Sequence, residues 1–177
     1  MSYGRKKDGM ASACGPGLFI REGGRILPAL PEDNEVAREY PAYADKGEVR
    51  QGYRITILTR RLAVRKDDPI RIIHVCEAVA PGTLLYVMGP KAIYDEYVNG
   101  MLATAALPAD EDPLAPASYD GRIISGPAID CNYEITQYRF REPGTYLVQW
   151  RPGKFSSNTL AIKVFANEAD ASQEKDV

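Results

Sequence analysis

The stretch EPGTYLVQWRPGKFSSNTLAIKV, Glu142 to Val164, constrains the fold more than any other part of the chain. Tyr146, Val148 and Trp150 alternate with Thr145 and Gln149, and Leu160, Ile162 and Val164 alternate with Ala161 and Lys163. A period of two puts each apolar set on one face of a strand. The spacing predicts two strands with a tight connection, closing one edge of a sandwich.

Shorter runs of the same kind recur upstream. Tyr53, Ile55 and Ile57 alternate with Arg54 and Thr56. RLAVR then puts Leu62 and Val64 inward, a one-residue shift that reads as a bulge or as a strand changing sheets. DDPIRIIHVCEAV is dense enough in β-branched residues for a central strand, and GTLLYVMGP is the next. AIYDEYVNGMLAT carries a helical spacing at Ile93, Tyr97 and Met101, but Asn99-Gly100 is a strong hairpin signal because both residues tolerate positive φ. A hairpin is the expectation there. RIISGPAIDCNYEITQYRF supplies one or two more strands. Many short strands, punctuated by 15 glycines and 13 prolines, predict a mainly β fold of sandwich type.

The 177 residues suit one domain with tails, and 45% apolar content is ordinary for a globular protein. The expected division is a flexible arm over 1–24, a proline-rich lead-in over 25–51, the sandwich over 52–166 and an acidic tail over 167–177. The lead-in has room for one short helix, Glu32 to Tyr40, ended by Pro41. A net charge of -2 argues against a nucleic-acid partner, which demands a basic field. No run approaches the roughly 20 apolar residues of a transmembrane helix, and peripheral association with a membrane stays open. The basic start (Arg5, Lys6, Lys7) has no apolar run behind it, so the expectation is no signal peptide and, by default, the cytoplasm.

RLAVRKDDPIRIIHV resembles the opening of bacterial immunoglobulin-like sandwich domains, and FREPGTYLVQW with SSNTLAIKV resembles their last two strands. The resemblance covers Gly52 to Phe165 and concerns fold pattern. It implies an immunoglobulin-like antiparallel β-sandwich in which Tyr146 caps the penultimate strand after the Pro-Gly corner. It departs at Val148, where antibody-type domains carry the second disulfide cysteine. Cys76 is then left either to pair with Cys131 or to stay free. Three cysteines without a CxxC form no disulfide framework, and buried thiols in a reducing cytoplasm are the plainer reading.

Chemistry is sparse. His74 and Cys76 share a strand face and could supply half of a metal or redox site if Cys131, Asp130 or another carboxylate joins them. No metal or other cofactor is expected. Asp110, Glu111 and Asp112, with Asp120 and Asp130, fit no calcium-loop spacing and read as solvated acids. No nucleophile motif is present, so the chain is not expected to be an enzyme.

Eleven tyrosines against four phenylalanines and one tryptophan are the conspicuous surplus. Tyrosine suits an interface rim, where the ring is covered and the hydroxyl stays wet. The leading expectation is a non-catalytic binding or structural accessory module within a larger protein assembly, with a protein partner docking over Tyr94, Tyr97 and Tyr119. The alternatives are a small metal or redox protein using His74 and Cys76, and a protein inhibitor presenting the 107–122 loop to a hydrolase.

Overall fold

A computed structural model describes residues 17–87, 89–115 and 121–167, together with the backbone of 11–12. Among the described residues the chain runs through β1 (Ala11–Ser12), β2 (Phe19–Glu22), β3 (Arg25–Pro28), α1 (Pro31–Arg38), β4 (Val49–Arg50) and β5 (Tyr53–Leu58). It continues through β6 (Ala63–Arg65), β7 (Pro69–Ala78), β8 (Leu84–Tyr86), β9 (Glu96–Val98) and β10 (Met101–Leu102). The last strands are β11 (Ile123–Ser125), β12 (Ala128–Asp130), β13 (Glu134–Arg139), β14 (Gly144–Trp150) and β15 (Thr159–Phe165). The protein is mainly β and has several sheets.

The larger sheet is organised by β7. On one side β7 pairs with β5, which carries β4; on the other it pairs with β12 at its C-terminal half and β13 at its N-terminal half. β2 adds to β13 in parallel and brings β3 with it. The second sheet runs β10-β9-β14-β15-β6, and β8 pairs with β11 in a separate ribbon. Because β5 belongs to the first sheet and β6 to the second, the reversal of alternation between them is a change of sheet. Val64 turns inward as expected, whereas Leu62 sits 48% exposed ahead of the strand and supplies its carbonyl to the Lys163 N–H.

Alternation along β7 feeds two cores. Ile70, Ile72, Cys76 and Ala78 meet Val148, Trp150, Leu160, Ile162 and Val164 of the second sheet. Ile73 and Val75, on the opposite face, meet Leu18, Ala37, Tyr40, Ile129, Cys131 and Ile135. α1 forms where Pro31 presets the first turn, with Glu32 and Asp33 near its N-terminus and Arg38 in its last turn. It ends at Arg38, and a short 3-10 turn containing Pro41, Tyr40–Ala42, follows. The Arg71–Asp33 ion pair, 2.6 Å, fastens α1 to β7.

Several expectations change. β14 and β15 do form an antiparallel pair, but they are interior strands of their sheet, and residues 151–158 make a long connection. The closing edges are the short β10 and β6. The expected arm over 1–24 includes β2, anchored because Leu18 is buried and Phe19 and Ile20 face Glu134 and Ile135 in register. The lead-in over 25–51 supplies the cover of the second core. Residues 1–10, the rest of the acidic tail beyond Asn167 and Tyr119 lie outside the described residues. The segment 123–139 holds three strands, because the chain breaks pairing between Asp130 and Glu134. The Asn99-Gly100 hairpin forms, with φ of 50° and 77° at its two turn residues. No helix among the described residues is long and apolar enough to cross a membrane.

Candidate functional site

The β9 strand divides chemistry between the inside and the outside of the molecule. Its position is fixed at both ends: the Asn99-Gly100 turn follows it, and Asp95, at φ 55°, precedes it. The Asp95 carbonyl accepts the Arg151 N–H at 2.9 Å, and its Oδ1 accepts the Leu107 N–H at 3.1 Å. On a strand so placed, Glu96 points into the main core and Tyr97 points away from it.

Glu96 is fully buried. Its Oε2 lies 2.5 Å from His74 Nε2, and its Oε1 accepts Thr136 Oγ1 and Tyr138 Oη, each at 2.5 Å. Burial alone would raise the Glu96 carboxyl, but the His74 charge and the hydrogen bonds from His74, Thr136 and Tyr138 outweigh it and hold the group below its usual range. Burial, and then the same carboxylate, push Tyr138 above its usual value. His74 stands edge-on to Trp150, ring centroids 5.1 Å apart, and its Nδ1 meets no polar partner among the described residues. In this contact Nε2 carries the proton, since the Glu96 carboxylate can only accept. A carboxylate held low is a weak base, so Glu96 is suited to fixing the core.

A second buried group lies along β7. Asp130 Oδ2 accepts Lys91 Nζ at 2.7 Å, and its Oδ1 accepts Asn132 Nδ2 at 2.7 Å. Lys91 also donates to the Tyr86 carbonyl and lies over the Tyr133 ring, 4.5 Å from its centre. Asp130, opposite Cys76 in register, is thereby committed to Lys91 and Asn132. Cys76 is a free, buried thiol, pushed well up by burial and then by the Asp130 charge. Cys131 is disulfide-bonded, and it belongs to the second core while Cys76 belongs to the first. The two therefore do not pair, and the expectation of reduced thiols throughout is corrected. Cys14 lies outside the described residues. Among the described residues no three His, Cys, Asp or Glu groups converge to hold a metal.

These placements carry an expected result. A thiol reagent should leave Cys76 unmodified in the native chain and label it in denaturant, because a buried neutral thiol is unreactive. Rapid native labelling at Cys76 would contradict its burial.

The outer side of β9 is different. Tyr97 is half-buried, and the Arg151 guanidinium lies over its ring at 4.0 Å. Register puts Leu102 and Gln149 directly opposite Tyr97 on either side, and Leu147 lies two residues before Gln149 on the same face. Leu102 and Leu147 are each 47% exposed. Above this row a groove of about 510 Å³ is lined by Tyr97, Arg50, Arg151, Lys154, Phe155 and Glu48, with Gly153 and Ser156. Arg50 is tied down by donating to the Lys154 carbonyl at 2.9 Å.

Of the two described tyrosines expected to bind, Tyr97 occupies this face. Tyr94 precedes β9, half-buried, and its carbonyl accepts the Trp150 indole N–H at 3.0 Å. Among the described residues Tyr97 takes its ring contact from Arg151 and not from Tyr94, and Tyr119 lies outside the described residues. Asp112 caps its own loop, accepting the Leu114 and Ala115 N–H groups. Sequence reading missed Glu96, Arg151, Arg50 and Lys154. The signal for Glu96 was there: strand parity that turns Tyr97 outward turns its neighbour inward. No family model, curated protein or solved structure matches the chain.

Proposed function

We propose that the chain is a non-catalytic, immunoglobulin-like sandwich that serves as a protein-binding module within a larger assembly. The topology supports the fold assignment. The strands β5, β7 and β13 face β9, β14 and β15, and after β5 the chain crosses to the second sheet, where β6 pairs in parallel with the last strand. Tyr146, near the start of β14, donates its hydroxyl to the Glu142 carbonyl at 2.8 Å, the corner contact of such domains.

The observation that carries the binding reading is the division at β9. The reactive side chains, His74, Glu96 and Cys76, are sealed inside. The exposed face offers a tyrosine stacked under an arginine, flanked by two half-exposed leucines. Tyrosine and arginine are the residues that dominate binding energy at protein interfaces. Tyr94 and Tyr119 remain part of the proposed docking region, with Tyr97 its anchor. A protein is favoured over nucleic acid by the net charge of -2.

The test is recovery of a partner from native cell extract by wild type, by Tyr97→Ala and by the Tyr94, Tyr97 and Tyr119 triple alanine variant, each first verified as folded. Loss of a true anchor weakens binding by about 2 kcal/mol, roughly thirtyfold. Selective loss of one partner in the variants is the expected result. Equal recovery by all three would remove this surface.

A further inference from the structure

The groove over Tyr97 departs from the charge balance of the rest of the molecule. Its lining holds three cations, Arg50, Arg151 and Lys154, against the single acid Glu48, in a chain whose net charge is -2. None of the three cations forms an ion pair among the described residues, whereas Arg21, Arg54, Arg65 and Arg71 each pair with a carboxylate. Two of them are also held in place. Arg151 is stacked on Tyr97, which covers the guanidinium face, and among the described residues its N–H edge has no ion-pair partner; Arg50 is fixed by the Lys154 carbonyl. A guanidinium immobilised on an aromatic ring loses little freedom when it takes up an oxyanion in a bidentate contact.

The groove is continuous with the sheet face carrying Tyr97, Leu102 and Leu147. That extended, partly apolar area exceeds what an isolated inorganic ion covers and suits a polypeptide. We propose that the partner presents an acidic segment whose carboxylates seat among Arg50, Arg151 and Lys154, while adjoining apolar side chains lie over Tyr97, Leu102 and Leu147. The proposal rests on the binding-module reading and specifies the chemistry of the partner.

The experiment titrates the isotope-labelled full chain with poly-L-glutamate at low ionic strength, with poly-L-glutamine and polyphosphate as parallel arms. Backbone resonances of Arg50, Tyr97, Arg151 and Lys154 should shift with polyglutamate and not with polyglutamine. The double variant Arg151→Gln, Lys154→Gln should weaken that binding roughly tenfold or more, and Arg61→Gln should leave it unchanged. Added salt should abolish the response, as it does for exposed charges. Shifts centred elsewhere, or equal binding by the double variant, would overturn the proposal. Polyphosphate binding about tenfold tighter than polyglutamate would reassign the groove to phosphate chemistry and overturn it too. Recovery of one protein partner from extract by both wild type and the double variant would remove the acidic segment while the binding-module reading stands. Recovery of none by wild type would remove that reading, and the titration would still decide the groove.

Discussion

Replacing Trp150 with alanine is expected to destabilise the protein by about 3–5 kcal/mol, the range for truncating a large aromatic in a packed core. Trp150 is the largest fully buried side chain, 1% exposed, and the chain's one tryptophan. Its ring takes His74 edge-on at 5.1 Å and Tyr133 at 5.2 Å, so its removal opens a cavity lined by two rings that cannot collapse easily. It also leaves the Tyr94 carbonyl without its indole donor. Small domains hold only about 5–15 kcal/mol in total, so the variant should lose a large share of its stability. Denaturant unfolding followed by circular dichroism measures this without relying on the deleted fluorophore. The midpoint should fall with an unchanged slope, and a loss below about 1 kcal/mol would contradict the core placement.

Glu96→Ala should have a similar effect, about 3–5 kcal/mol, by a different route. It leaves His74 Nε2–H and the Thr136 and Tyr138 hydroxyls without their shared acceptor in a region that excludes water. Glu96→Gln keeps the shape and part of the hydrogen bonding, so it should cost less, about 1–3 kcal/mol. The two effects separate by pH. The Glu96 carboxyl is held below its ordinary range in the folded chain, so its contribution is fully present above that range and is lost as pH falls through the folded value. Wild type should therefore lose more stability on acidification than Glu96→Gln, and the gap between them should close at low pH. A gap that stays constant into the acid range would show that the carboxylate charge contributes nothing.

The strands were legible wherever one face is buried and the other wet. β14 and β15 follow their alternation, whereas β5 is buried on both faces from Ile55 to Leu58, and the hairpin at Asn99-Gly100 follows from the φ that its turn demands. The position of β14 and β15 within the sheet was not legible, since period-two alternation is the same in a central strand and in an edge strand. Nor was the role of the lead-in, because Ala37 and Tyr40 find apolar partners on β7, a contact distant in sequence. At the candidate site, Tyr97 was readable as a rim aromatic, and it is half-buried. The Arg151 stack was not, because it depends on where a long connection returns across the sheet.

β7 has no solvent-facing side over most of its length: from Ile72 to Ala78 every residue is buried. The core beneath α1 and the core between the sheets are thus two sides of a single backbone. Loosening Ile73 or Val75 on one side disturbs Ile72 and Cys76 on the other through the shared peptide units, with no flexible hinge to absorb the strain. The layer containing α1, β2 and β3 is consequently no detachable appendage. It belongs to one cooperative unit, and substitutions in the two cores should couple in double-mutant cycles although their side chains never touch.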